Sequence, residues 1–476
     1  MVLPAPAEDL VAAESADLAQ RRGLLVLLLL TQFLVVLLDT NTALALPHIQ
    51  RALGFAPANL QWVQTSYMLT FGGLLLLAGR CADIFGRRRM LVGGLALFTL
   101  ASALCGAAGS PAVLIAGRAI QGIASAFASA AALAIITVSF TPGRDRDTAL
   151  GAWGLVSGFA ASLGLLIGGV LTEWLGWDWV FLSLLPLSSA AFLFSLRLVP
   201  TDHGAPRDRR LDVGGALLGT LAVSALVFAL AQATASSWTS ATVAAALAGS
   251  LVLVVAFVAR ERRAAYPILP LTALGTGNVA AGNVATLFLG AILLGMFALT
   301  SIYLQEGCGF SSVGCGLAML PMGMMSVLLS VGVSRLVGRF GSRLVLACGL
   351  GLLGCGSAAL AAVGGGGSVL IAFLPASVLF GAGIAATEVS SIITSTDDLG
   401  HGDLAGLASG LWNTSLQVGG AVGFAVLSTV MLGSTSGLSA AAVVSGYRSA
   451  ALTACGLAAV GATFVLARVR QRSRPA

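Results

Sequence analysis

Three ionisable side chains sit inside long apolar runs of this 476-residue chain: Asp39, Arg118 and Glu388. A charge in hydrocarbon is costly, so such residues are functional candidates by default. Asp39 lies deep in the run 23–46, and Arg118 lies early in the run 112–138. If these runs cross a bilayer in opposite directions, both side chains fall in its outer half. Their depths then differ by only about 5 Å, at a rise of about 1.5 Å per residue. Opposite charges at one depth either neutralise each other as a structural pair or exchange a proton. Glu388 lies late in the run 368–392, nearer the inner side, as a coupling acid or as the polar end of its helix. Glu306, at the outer end of another run, reads as a solvated rim residue. The chemistry within reach is proton transfer and recognition of charge.

Other chemistries are excluded by what is missing. All 25 basic residues are arginine. Without lysine there is no Walker A phosphate loop and no Schiff base. His48, His203 and His401 are far apart, and the seven cysteines form no CxxC pair, so no metal-ligand spacing exists. Cys308 and Cys315 flank an external turn, and the sequence leaves their pairing open. Gly381-Ala-Gly383-Ile-Ala-Ala386 spells a loose dinucleotide fingerprint. It has no strand before it and reads as helix packing. Neither a nucleophile–base constellation nor a metal, cofactor or nucleic-acid site is implied, and the chain is not read as an enzyme.

The elements that must position these charges are membrane helices. The chain is 57% hydrophobic and 9% charged, against roughly 25% charged in soluble proteins. Mean hydropathy is +0.97. Fourteen spans are predicted: 23–46, 60–79, 90–108, 112–138, 149–172, 179–198, 212–232, 240–259, 279–304, 315–336, 344–363, 368–392, 405–432 and 449–467. With the amino terminus inside, every arginine except Arg51, Arg118 and Arg448 falls in a cytoplasmic segment. That bias fixes the orientation and demands an even number of spans. The acidic loop 397–403 does not oppose it, because acids contribute little to the rule. A secretory signal ending at Ala43-Leu44-Ala45 is the lesser reading of the amino terminus, because Asp39 and Asn41 interrupt its apolar run.

Between the second and third spans stands Gly79-Arg80-Cys81-Ala82-Asp83-Ile84-Phe85-Gly86-Arg87-Arg88-Arg89. It reads as a short cytoplasmic turn, with Gly79 and Gly86 supplying backbone freedom. Arg335-Leu-Val-Gly-Arg-Phe-Gly-Ser-Arg343 repeats it at one constant offset: Arg80, Phe85, Gly86 and Arg88 match Arg335, Phe340, Gly341 and Arg343. Gly338 stands where the first copy has Asp83. Both copies follow the second span of a six-span set. The expected organisation is a cytoplasmic tail (1–22), a six-helix bundle (23–198), loops with two extra spans (199–270), a second six-helix bundle (271–467) and a basic tail (468–476). Parallel halves of this kind place a binding site at their interface near the midplane.

Gly79, Asp83, Gly86, Arg87 and Arg88 resemble the loop signature of the major facilitator superfamily. Gly117-Arg118-Ala119-Ile120-Gln121-Gly122 resembles its fourth-span motif. Leu38-Asp39-Thr40 with Ala45-Leu46-Pro47 resembles the first-span motif of its fourteen-span drug–proton antiporters, the EmrB/QacA type. Gln61-Trp62-Val63 with Tyr67, Leu211-Asp212-Val213-Gly214-Gly215, Tyr303-Leu304-Gln305, Leu320-Pro321, and Ser409-Gly410-Leu411-Trp412-Asn413-Thr414 with Gln417 are similar to later stretches.

The resemblance implies an all-α fold of two six-helix bundles plus two helices. It implies a proton-coupled exporter of amphipathic or cationic small molecules, monomeric and multi-pass in the plasma membrane, with both termini cytoplasmic. Protons, a small organic substrate and the lipid bilayer are its partners. Asp39, Arg118, Gln121, Glu388, Asn413 and Gln417 would serve coupling and the cavity, where tryptophans and apolar walls give loose specificity. Asp83, Arg87 and Arg88 would form a latch between the halves. The fifth span departs from the antiporter motif. Gly154, Gly158, Gly164, Gly168 and Gly169 keep the small spacing that allows close helix contact, but Leu165 replaces a proline and Asp178 replaces an arginine. The helix should bend less. A dedicated exporter of one metabolite or self-made antibiotic is the alternative, and a non-transporting receptor or assembly factor a more distant one.

Overall fold

The computed structural model describes residues 7–55, 57–60, 62–141, 143–200, 212–235, 237–264, 266–269, 271–274, 278–364, 369–396, 405–434 and 439–469. The calls on Arg207, Arg209, Arg210, the 397–403 loop and the arginines of the last seven positions lie outside them. The described residues are helical, without a strand.

Among the described residues, fourteen helical segments are long and apolar enough to cross a membrane. They are α1 (Ala7–Leu53), α2 (Trp62–Phe85), α3 (Arg87–Gly106), α4 (Pro111–Ser139), α5 (Arg144–Trp174), α6 (Leu184–Leu198, after a short turn Trp179–Leu182), α7 (Val213–Ala235), α8 (Ala241–Glu261), α9 (Val279–Ile302), α10 (Ser312–Phe340), α11 (Ser342–Ala361), α12 (Val369–Thr396), α13 (Ala405–Gly433) and α14 (Ala440–Arg468). A single π turn, Tyr303–Gly307, extends α9.

Local chemistry sets many of the ends. Ser110, Ser240, Ser311 and Ser439 each accept an N–H of the first turn that follows, and Pro111 opens α4 where no N–H is needed. Within the helices, hydroxyls return to the backbone: Thr31 donates to Leu27, Ser390 to Ala386 and Thr394 to Ser390. Each of these three hydroxyls is thereby satisfied inside its own helix, as a lipid environment favours.

Two findings differ from the sequence expectation. The helix begins at Ala7, inside the segment expected as a tail, because its Ala, Glu and Leu residues are strong helix formers. The stretch 79–89 is also not a turn: α2 runs on to Phe85 and α3 starts at Arg87. Gly86 alone breaks the chain, with φ 102° and ψ 134°. Its repeat partner Gly341 does the same between α10 and α11, with φ 84° and ψ 153°. A left-handed φ of this kind favours glycine.

One buried core draws mainly on residues 24–199, and a second on residues 285–469. Across them α2 packs on α13, and α5 packs on α10 and α12. The pair α7–α8 packs beside α2 and α13, closing that flank of the interface. A smaller cluster of Phe257, Leu269 and Leu407 joins α8 and its following segment to α13.

Candidate functional site

Seven helices wall one cavity between the two cores. α1 contributes Gln32, Val35, Val36, Asp39 and Thr40; α2 contributes Tyr67 and Phe71; α5 contributes Ser157, Gly158 and Ala161. From the second half come Leu293, Leu294 and Phe297 of α9, Gly323 of α10, Ile384 and Glu388 of α12, and Asn413, Leu416 and Gln417 of α13. About 880 Å³ of non-atom space lies within it, open solvent at its mouth included. The aromatics facing it are Tyr67, Phe71 and Phe297. The expectation that tryptophans line it is corrected: Trp412 is buried in the core, where its indole donates to Ser391 Oγ at 3.2 Å, and Trp153 is fully buried. Two carboxylates and no arginine or histidine face the cavity among the described residues.

Asp39, Glu388, Asn413 and Gln417 therefore lie on the cavity wall, whereas Arg118 and Gln121 lie behind it, fully buried. Asp39 and Arg118 do not form the direct pair that the sequence suggested. Gln64 stands between them. Arg118 Nη2 donates to Gln64 Oε1 at 3.0 Å, and Gln64 Nε2 donates to Asp39 Oδ1 at 3.4 Å and to its carbonyl at 3.3 Å. The rest of the guanidinium is held by the Val63 carbonyl at 3.0 Å and Gln121 Oε1 at 3.2 Å, and it lies 4.4 Å from the Tyr67 ring centre. Gln121 in turn donates to Ser102 Oγ at 2.9 Å and accepts from Cys105 Sγ. Its role is to fix the arginine. Gln64 went unremarked in the sequence, although a polar residue one turn before Tyr67 in an apolar span was a legible signal.

At the arginine-rich end the halves meet through Asp83. Its two carboxylate oxygens accept the backbone N–H groups of Gly406 at 2.8 Å and Leu407 at 2.9 Å, at the start of α13. Negative charge there complements the positive helix terminus. Arg87 Nη2 lies 3.2 Å from Asp83 Oδ1. Ser409 adds a bond to the Ala130 carbonyl of α4 at 2.9 Å. Gly79, expected in the turn, is instead inside α2, where a Cβ would strike the Gly406 carbonyl. Arg88, expected in the latch, bonds within its own half: Nη2 donates to the Leu196 carbonyl at 2.6 Å. Its repeat partner Arg343 donates likewise to the Leu466 carbonyl. Each half thus ties the start of its third helix to the end of its sixth. Only the first copy carries the acid that crosses to the other half.

The glycines of α5 serve two neighbours. A Cβ at Gly164 would run into Thr40 Oγ1, and one at Gly168 would stand 2.9 Å from Asn41 Cα, both on α1. A Cβ at Gly158 would stand 2.6 Å from Ser326 Oγ of α10, and one at Gly154 3.5 Å from Glu388 Cδ of α12. Gly169 is buried beside them. The helix runs unbroken through position 165. The glycines that read as a dinucleotide fingerprint serve packing too: Gly381 meets the Met322 backbone and Gly383 that of Leu353. Cys308 and Cys315 are free thiols, and Glu306 is exposed.

The extra pair α7–α8 is closed at its arginine-rich base. Arg260 grips Asp212 with Nε at 2.9 Å and Nη2 at 2.6 Å, which holds the Asp212 carboxyl below the usual carboxylate range. Glu261 accepts the N–H groups of Ile268 at 3.3 Å and Leu269 at 3.0 Å.

A family model described as the Major Facilitator Superfamily matches residues 28–424. The chain is 38% identical over 432 residues to the puromycin resistance protein of Streptomyces alboniger, covering 89% of this chain and 85% of that one. It is 40% identical over 428 residues to the cephamycin export protein of Amycolatopsis lactamdurans, covering 87% and 85%. It is 32% identical over 424 residues to the lincomycin resistance protein of Streptomyces lincolnensis, covering 87% and 85%. Its fold is similar to that of a proton:xylose symporter (TM-score 0.64, 14% identity, 94% of this chain and 96% of that one). It is also similar to that of a human organic anion transporter (TM-score 0.63, 18% identity, 93% and 99%).

Proposed function

Because the chain belongs to the Major Facilitator Superfamily, we propose that it is a secondary exporter of amphipathic or cationic small organic molecules, driven by inward proton flow. The observation that carries this reading is the cavity lined from both halves, with the Asp83 bonds to the first turn of α13 as the seal we assign to one end. Breaking that seal opens the cavity to the arginine-rich side, which we assign to the cytoplasm together with both termini. The membrane is the plasma membrane, and the working unit is one chain in the lipid bilayer, with bundles 23–198 and 271–467 as the moving bodies. No bond is made or broken in the cargo.

Asp39 is the proton site in this reading. It faces the cavity, and Gln64 relays the charge of Arg118 to it. Loading Asp39 with a proton weakens its hold on Gln64 and frees the amide to reorient about Arg118. The relatives named for resistance to or export of puromycin, cephamycin and lincomycin support an antibiotic as cargo. Each is named for one compound, which favours a second reading: a dedicated exporter of a single self-made antibiotic.

Proton flux in proteoliposomes with an imposed pH gradient tests the reading. A panel of lipophilic cations and antibiotics, puromycin and lincomycin among them, should trigger proton movement that is lost in Asp39→Asn. Substrate movement without proton movement would replace antiport by facilitated diffusion. A response to one compound alone would select the dedicated exporter.

A further inference from the structure

We propose that the extra pair α7–α8 carries the outer latch of the transport cycle. The Trp238 indole, in the turn between the two helices, holds Thr429 near the far end of α13 while the outer end of the cavity is shut, and lets go when it opens. The inference deepens the export reading and rests on it.

Trp238 Nε1 donates to Thr429 Oγ1 at 2.6 Å. Thr429 passes its own hydroxyl hydrogen to the Ala425 carbonyl at 2.6 Å, so it meets the indole as an acceptor. The turn that presents the ring is itself fixed. The Thr239 N–H donates to Ser237 Oγ at 3.2 Å, the Ser240 N–H donates to the Ser237 carbonyl at 3.1 Å, and Ser240 caps α8.

The two partners belong to different bodies. α7 is set into α2 by Thr220, Ser224 and Phe228, which share one helix face. Gly73 of α2 leaves the room that Ser224 fills. Ser224 Oγ donates to the Leu69 carbonyl at 3.3 Å, and Phe228 stacks on Trp62 with ring centres 5.9 Å apart. α8 follows α7: Ser250 donates to the Ala222 carbonyl at 2.9 Å, Phe257 rests on Gly219, and Arg260 grips Asp212. The pair thus travels with the first bundle. α13 travels with the second, because Gly290 of α9 admits the Leu416 carbonyl and Gly423 of α13 admits that of Ala291. Helices whose backbones meet this closely move together. At the inner end Phe257 and Leu269 touch Leu407 through apolar surface, which has no direction and can slide.

α13 is therefore held to the first body at both ends, by Asp83 at Leu407 and by Trp238 at Thr429. These points are about 33 Å apart along the helix, close to the thickness of a bilayer core. Rocking of one bundle against the other parts one end as it closes the other. If both ends stood open together, the cavity would join the two sides of the membrane and drain the proton gradient. The Asp83 seal guards one side, and Trp238 stands at the other. Its bond is neutral and its ring is 38% exposed, so the latch is worth about 2- to 13-fold in an equilibrium and can open in every cycle.

The test is the rate at which a membrane-impermeant maleimide labels Cys81, buried at the inner end of α2, in the full chain held in lipid nanodiscs, with Cys81→Ser as the blank. Losing the outer latch favours the outer-open state, in which the inner end stays shut. Trp238→Phe keeps an aromatic ring and drops the donor, so it should slow the labelling about 2- to 13-fold. Thr429→Val should do the same, and the two together should be no slower than either alone. Thr429→Ser keeps the hydroxyl and should label at the wild-type rate, which separates loss of the bond from loss of the fold. In the Asp83→Asn background Trp238→Phe should lower the rate as well. A tryptophan that merely anchors the turn among lipid headgroups would be indifferent to Thr429, and loosened packing would speed the labelling. Unchanged or faster labelling in either Trp238→Phe or Thr429→Val overturns the proposal, and with proton-driven export intact it leaves the export reading standing. Slowed labelling in a protein that moves neither substrate nor protons would keep the latch and overturn the export reading.

Discussion

The Asp83 carboxylate stands 2.9 Å from the backbone nitrogen of Leu407, so a charge on the second span caps a helix that begins more than 300 positions later. It holds the Gly406 N–H with its other oxygen. Bonds of this charge-assisted kind are each worth about 1.5–3 kcal/mol net. In the proposed mechanism they hold one end of the cavity shut, and they are lost together if the two halves part there.

Asp83→Asn keeps the shape but replaces one acceptor oxygen with a donor that faces an N–H. The seal should weaken by about 1.5–3 kcal/mol, which is roughly 10- to 150-fold in its equilibrium. Cys81 is buried two residues before it and reports on the seal. Labelling of Cys81 by a membrane-impermeant maleimide should accelerate in Asp83→Asn, with Cys81→Ser as the blank. Unchanged labelling with wild-type export would remove the latch from the mechanism.

Arg88→Ala should behave differently from Asp83→Asn. It cuts a bond within one half, to the Leu196 carbonyl, so thermal stability should fall slightly while Cys81 labelling stays at the wild-type rate. Arg343→Ala should match it, because it holds the equivalent place in the repeat.

Gln64→Leu removes the bridge between Asp39 and Arg118 and leaves a buried guanidinium short of a partner, at a cost of about 1–3 kcal/mol. Proton-driven export should fall about 5- to 150-fold. Arg118→Lys should fail as well, since a point-like ammonium cannot hold the Val63 carbonyl, Gln121 and Gln64 in one plane. Export rates in proteoliposomes at matched protein density decide both.

Gly164→Ala and Gly168→Ala force a methyl group into Thr40 and Asn41. Overpacking of this kind typically costs about 1–3 kcal/mol, read as a lower Tm in detergent. Gly93→Ala meets nothing within 4 Å and should leave the Tm unchanged.

Arg260 holds the Asp212 carboxyl below its ordinary range, so the pair stabilises the protein above the unfolded value. That contribution disappears as pH falls through the folded value. Asp212→Asn should lower the Tm at neutral pH and converge with wild type in acid. A constant difference across the range would mean that the ion pair is not the cause.

Hydropathy, the placement of arginines and the repeat at Gly86 and Gly341 were determined by the sequence alone. Each depends on one residue or its near neighbours: an apolar run must be buried in lipid, and a left-handed turn needs glycine. For the same reason Asp39, Glu388, Asn413 and Gln417 could be picked out, as polar groups in apolar runs. The partners were another matter. Asp83 binds backbone N–H groups, and every residue but proline carries one, so nothing in the letters of Gly406 or Leu407 announces the contact. Gly79 read as a turn residue because close approach and flexibility ask for the same amino acid. Arg118 and Asp39 read as a pair because their depths agree. Depth along a helix can be counted from the sequence, but the rotation of one helix about its axis relative to another cannot. The tertiary packing set that rotation, and with it put Gln64 between Arg118 and Asp39 and placed Glu388 on the cavity wall.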